Sequence, residues 1–409
     1  MERIKSFLSV ISGHIKKIIG NKHFIRYAPL VLILLISITT FATCVHQQDP
    51  ETGEEDHTIE EPENGYETEP PTRPPTDAVT EPDTEPEPDT EPETEPETEP
   101  PPPVNPLTGI ETEHDISNNR PLAIVVNNHR NSQPQLGVSQ ADMIYEVLVE
   151  GGITRMLALY QDINRVGVIG SVRSARPVYV DLAEAFDAVF IFAGGSDQAY
   201  SELKNRDITR LDGVGGPRYD IFYRDPDRRA SMGYEHSLVT SGERILQYLP
   251  TYGFRLEHEP EYERALSFTD DGTPVGGAAA TDFTVRYGSN GKTTDFGYNY
   301  EDNLYYLRQY SSSYTDGNNG TQLAFTNVLI LKTTVSLVPS DGAGRLRITT
   351  TGSGTGHFIC GGKYVDIEWS RENNSSQFTY TLDDGTDLVL GRGKTYICIV
   401  PSNMEVKFE

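Results

Sequence analysis

The residues most able to do chemistry lie in Gly167–Arg176 (GVIGSVRSAR), where Ser171, Arg173, Ser174 and Arg176 fall close together. Pro177 follows and Val178–Phe186 has helical spacing, so the sequence predicts a helix starting at or just before the proline. Free N–H groups at a helix start favour an anion, and two guanidiniums beside them would add forked donors. The chemistry this pattern suits is anion binding. The competing expectation is that both arginines pair with structural carboxylates such as Glu146, Glu150 or Asp181.

Just upstream, Met143–Glu150 and Ile153–Gln161 alternate around Gly151-Gly152, which predicts a two-residue hairpin. That register sets Leu148 opposite Arg155 and places Glu146 and Glu150 diagonally beside it on one face. The other face would hold Tyr145, Val147, Val149, Met156, Ala158 and Tyr160 as the core side. The polar face reads as an ion-pair ladder worth about 0–1 kcal/mol if exposed. The alternative is a ligand-facing cluster that adds Arg155 to the anion site.

Glu146, Glu150 and His236 are the candidate acid–base groups, since histidine titrates near working pH and His236 lies in a polar loop, Tyr234-Glu235-His236-Ser237. Ser237 beside it is too little for a triad, and no GxSxG elbow, zinc-protease helix or Walker loop occurs. Gly194-Gly195-Ser196 is a backbone cradle that matches neither phosphate-loop nor dinucleotide fingerprint, so no cofactor is expected. Within residues 105–409, His357 and Cys360 are the only closely spaced His/Cys pair. Two candidate ligands do not make a metal site, and both read as strand residues.

The elements that must position these groups can be read in order. Arg120–Asn128 and Asp187–Ala193 are apolar strands, and Ser196 is a plausible cap for a helix over Gln198–Asn205. Thr240 and Glu243 fit a capping box for a helix over Thr240–Leu249. After Gly253 the texture changes, and residues 282–409 are strand-rich, with turn signals at Asn319-Gly320 and Asp384-Gly385. The expected fold is α+β. A mixed α/β part spans 105–253, a connecting segment 254–281, and a β-rich, mainly antiparallel subdomain 282–409. Cys360 and Cys398 fall in predicted strands and read as buried thiols, with a disulfide as the alternative.

Charge divides the rest of the chain. Net charge is −27: residues 1–48 carry +5, residues 49–104 carry −20, and 105–409 carry −12. An acidic globular part argues against a nucleic-acid partner, which would want a basic face. Residues 1–45 pair a basic flank with the apolar run Ala28–Ala42 and read as a signal or anchor. Cys44 follows directly, as in a bacterial lipoprotein signal whose cysteine is lipidated. Thr43 and Phe41 depart from that pattern, and an uncleaved transmembrane anchor is the alternative. Both leave the basic flank in the cytoplasm and the rest outside. Residues 46–104, rich in Pro, Glu and Thr, have almost nothing apolar to bury and read as a disordered acidic spacer.

Several motifs in order resemble the YerB-like family of bacterial surface lipoproteins. They are Asn105–Gly109 (NPLTG), Arg120–Asn127, Pro134–Glu146, Val149–Arg155, Ser171–Pro177 (SVRSARP), the GGS turn and the C-terminal GKTYICIVP. Family members usually carry a Pro-His-Asn-like triplet where this chain has Tyr234-Glu235-His236-Ser237. The resemblance implies an anchored extracytoplasmic protein with a mixed α/β domain and a β-rich tail, and it implies no reaction. The expectation is therefore a cell-envelope protein held at the membrane, binding an anionic ligand, a cell-wall polymer or an envelope protein through Arg155, Arg173, Arg176, Ser171 and Ser174. An enzyme acting on a phosphate-containing or glycopolymer substrate, and a scaffolding lipoprotein, are the alternatives.

Overall fold

The computed structural model describes residues 101–215, 220–288, 291–339 and 341–409. The anchor segment with Cys44 and the spacer up to residue 100 lie outside the described residues. Among those described, no helix is long and apolar enough to cross a membrane.

The first half contains β1 (Leu122–Asn127), β2 (Met143–Leu148), β3 (Thr154–Tyr160), β4 (Val168–Gly170), α1 (Pro177–Ala185), β5 (Val189–Phe192), α2 (Asp197–Asn205), β6 (Arg210–Asp212), β7 (Tyr223–Arg224), α3 (Pro226–Met232), β8 (Leu238–Ser241) and α4 (Gly242–Tyr248). The second half adds the longer strands β9 (Asp282–Arg286), β10 (Thr293–Asn299), β11 (Leu304–Gln309), β12 (Asn327–Thr333), β13 (Gly352–Cys360), β14 (Lys363–Arg371) and β15 (Thr395–Pro401). The α+β expectation holds, with few helices and a strand-rich second half.

An 11-stranded sheet runs through both halves in the order β14-β13-β12-β15-β2-β3-β1-β5-β6, with short strands added beyond and beside β14. Its C-terminal contribution is not all antiparallel. β15 pairs in parallel with both β12 and β2, so a late strand completes the middle of the sheet. The β5–α2–β6 segment is a parallel unit whose helix supplies the crossover that parallel strands require.

Both faces of the sheet's central strands are buried. On one face Ile124, Ile144, Met156 and Ile191 pack against Phe283, Phe296 and Tyr305 of a second sheet, built around β9–β11, and against Ile169, Leu238 and Ile245. On the other, Val125, Tyr145, Leu157 and Phe190 pack against Val178, Tyr179 and Leu182 of α1 and Leu203 of α2. Cys360 and Cys398 are free and buried in these two different cores, which gives the thiol reading and not the disulfide.

Two local expectations are corrected. The β2–β3 loop closes from Val149 N to Ile153 O around three residues, Glu150-Gly151-Gly152, so Val147 and not Leu148 stands opposite Arg155. Strand side chains alternate, so this one-residue slip sends Glu146 to the face away from Arg155. Tyr145, Val147 and Val149 share the Arg155 face, while Met156, Ala158 and Tyr160 lie on the other. The second correction concerns α4. Ser241 caps it, accepting from Arg244 N at 3.2 Å, while Thr240 stays in β8 and donates to Ile221 O. Pro177 opens α1 and Ser196 caps α2, as expected from their types.

Candidate functional site

β1 and β5 run parallel only over Leu122–Ile124 and Val189–Ile191, then separate. The arginine segment fills the opening. Asn127 N donates to Ser171 O at 2.9 Å and Arg173 N to Val125 O at 2.8 Å, while Ala193 N donates to Arg173 O and Ala175 N to Gly194 O. Ser171–Ala175 is therefore wedged at the carboxyl ends of two parallel strands, the place where open α/β sheets hold ligands.

The wedge gathers three guanidiniums. Glu150 takes both Arg176 and Arg155: Arg176 Nε donates to Oε2 at 3.0 Å, Arg176 Nη2 bonds Oε1, and Arg155 Nη2 lies 3.3 Å from Oε1. Arg155 also donates to Ser174 O at 2.8 Å. Burial opposes ionisation of Glu150, yet the two arginines overcome it and hold the carboxyl at about 2. Burial, with Arg176 next in weight, lowers the Arg155 guanidinium to about 10. Arg173 pairs with exposed Glu235, whose carboxyl it pulls below the ordinary range, and also donates to Glu235 O at 3.2 Å. Asp181, an expected alternative partner, instead accepts from Arg206 at 2.6 Å.

Across the β1–β3 pair, Asn127 faces Arg155. Its Nδ2 lies 3.0 Å from Nδ1 of His236, and the His236 ring stacks on His129 with centroids 5.7 Å apart. Arg228 holds this loop from behind, donating to the carbonyls of His236, Pro134 and Ser132. The Nε atoms of Arg155 and Arg173 are buried without a hydrogen-bond partner, as is the hydroxyl of Ser171. A buried unpaired donor costs on the order of 1–3 kcal/mol, so two orphaned guanidinium donors in one cluster suit an incoming acceptor. Ser171 itself is fully buried, with its N–H donating to Gln135, so its hydroxyl is closed to a surface ligand. The three guanidiniums outnumber Glu150 and Glu235, a local positive excess on an acidic chain.

Glu146 belongs elsewhere. Fully buried, it accepts from Asn128 (2.8 Å), Thr154 (2.6 Å), Tyr287 (2.8 Å), Thr294 (2.7 Å) and Tyr396 (2.7 Å), with Gln309 at 3.4 Å. Lys292 Nζ lies 3.3 Å away. Burial opposes its charge, but Lys292 and the surrounding hydroxyls keep it ionised below the ordinary range. This is a clasp joining β2 and β3 to strands of the second half.

The structure thus unites Arg155, Arg173, Arg176 and Glu150, places Ser174 and His236 beside them, and separates Glu146. Asn127, His129 and Glu235 were missed from sequence. The one available signal was Asn127-Asn128-His129, polar residues ending an otherwise apolar strand. Among the described residues no group of three His, Cys, Asp or Glu stands ready to hold a metal; His357 bonds Asp366 at 2.7 Å.

Residues 107–255 match the "Protein of unknown function (DUF3048) N-terminal domain" and 283–397 its C-terminal domain, and the chain belongs to this family. A curated relative, "Putative lipoprotein YerB" of Bacillus subtilis (strain 168), is 31% identical over 300 residues, covering 72% of this chain and 86% of the relative. The crystal structure of YerB protein from Bacillus subtilis aligns with a TM-score of 0.65 and 29% identity, over 75% of this chain and 99% of that one. The YerB-like resemblance read from the motifs is borne out.

Proposed function

We propose that this chain is an extracytoplasmic envelope protein, anchored at the membrane through its first 45 residues, that binds an anionic ligand at Arg155, Arg173 and Arg176. The observation carrying the site is the pair of orphaned guanidinium Nε donors in a cluster with excess positive charge, wedged at the carboxyl ends of β1 and β5. The lipoprotein name of the Bacillus relative supports the anchor. Arg173 is the ligand's entry point, because its partner Glu235 is exposed and is displaced at small cost.

Binding is favoured over turnover by the state of the candidate bases. Glu146 is sealed, Glu150 is neutralised by two arginines, and Nδ1 of His236 is already engaged. A general base needs both reach and a pKa near working pH.

Calorimetric titration of the full chain with phosphate-bearing wall glycopolymer fragments and with muropeptides tests the site. Loss of a charge-assisted contact predicts about tenfold or greater weakening in Arg173→Ala. Equal binding by wild type and variant sinks the assignment. A scaffold without a ligand predicts instead that Arg173→Ala lowers thermal stability and that no fragment raises it. The anchor is tested by fatty-acid labelling: label lost in Cys44→Ala supports a lipid, and an unlabelled wild type assigns the anchor to the apolar run.

A further inference from the structure

The two histidines at the wedge carry information about protons that the arginines do not. The side-chain carbonyl of Asn127 accepts from His129 N at 3.0 Å, which fixes the amide orientation. Its nitrogen therefore faces His236 Nδ1 at 3.0 Å as a donor. An amide nitrogen has no acceptor lone pair, so Nδ1 of His236 must be unprotonated and the ring proton must sit on Nε2. His129 is held the same way, its Nδ1 accepting from Asn131 N at 3.1 Å. Among the described residues neither Nε2 has a protein partner.

Resting on the anion-binding reading above, we propose that Asn127 is a positioning residue. It holds His236 as a neutral Nε2–H donor, so that with His129 and Arg173 the site offers only donors to an anionic oxygen of constant charge, as in a phosphodiester or a carboxylate. His236 is then neither the general base nor an imidazolium that attracts the ligand.

The surroundings agree. Burial and the cations Arg173 and Arg228, with His129 beside it, disfavour protonation of His236, and Glu235 alone acts the other way.

The full chain labelled with 15N-histidine and titrated from about pH 6 to about pH 8 reads the tautomer directly. The expected spectrum shows His236 as Nε2–H with bare Nδ1 throughout. Calorimetry over the same range uses glycerophosphoglycerol and acetate, a phosphodiester and a carboxylate of constant charge, which separates the two ligand sources. Affinity for the preferred probe is expected to stay within about twofold. In Asn127→Asp the new carboxylate accepts from Nδ1–H, so an imidazolium persists at neutral pH and affinity becomes about fivefold or more stronger at the acid end. An Nδ1–H pattern in wild type, or affinity falling about tenfold with rising pH, overturns the proposal while leaving the arginine site standing. Failure of both probes to bind at any pH removes the anion site and this inference together. Should Asn127→Asp not fold, the wild-type spectrum still decides the tautomer.

Discussion

At the scale of single residues, the chain uses its acidic groups in two opposed ways. Glu146 is a buried charge that survives because hydroxyls, amides and Lys292 surround it. Removing one partner of such a pair costs far more than the pair contributes, because a bare charge stays buried. Lys292→Met should therefore destabilise the protein by about 3–5 kcal/mol, measured by denaturant unfolding. Combining it with Glu146→Gln should cost less than the sum of the single changes, and strict additivity would show that the two do not interact. Glu150 is the opposite case, a half-buried carboxylate held low by arginines. Its folded pKa of about 2 lies below the unfolded value near 4.5, so its contribution is present above that value and lost as pH falls toward 2. Solvent screening of this half-buried group discounts the full shift, so wild type should exceed Glu150→Gln by on the order of 1–2 kcal/mol at neutral pH, and the gap should close between those two values. A gap independent of pH would mean the arginines do not act through the charge.

At the scale of elements, the β2–β3 loop decides which acid reaches the arginines. Gly151 and Gly152 both have positive φ, 75° and 71°; a side chain at Gly151 would meet open space, and one at Gly152 would meet only Gly291 Cα, at an ordinary contact distance of 3.9 Å. Gly152→Ala should therefore cost about 1 kcal/mol through backbone strain alone, without a clash. A neutral result in thermal unfolding would indicate that the turn relaxes. The same loop shows where sequence reasoning stops. Two glycines between strands serve either a two- or a three-residue loop, and alternation normally chooses between them. Here both faces of β2 and β3 are buried, so polar and apolar positions do not alternate cleanly and the register was not legible. The helix start at Pro177 and the Ser196 cap were legible because their signals are local. The contact of Asn127 with His236 spans 109 residues and leaves no periodic trace, so the histidine pair emerged only in three dimensions.

At the scale of the whole molecule, the two family-matched segments share one sheet, and the Glu146 clasp ties them further. Equilibrium unfolding of the full chain should accordingly show one cooperative transition for this body, and a fragment ending at Gly253 should lack native structure by circular dichroism and amide exchange. Two separated transitions, or a protected fragment, would show that the first half stands alone. The reason is topological. Without β15, one side of β2 becomes an edge with unpaired backbone groups, and Glu146 loses Tyr396.

That placement of β15 also sets a clock. Every strand it joins is made earlier, and the slot between β2 and β12 stays open until Thr395–Pro401 has been synthesised. Earlier intermediates expose a strand edge ready for the wrong partner, so the chain is safest when kept unfolded until β15 has been made. A premature stop before Thr395 leaves no smaller version of this fold, only a sheet with its middle missing.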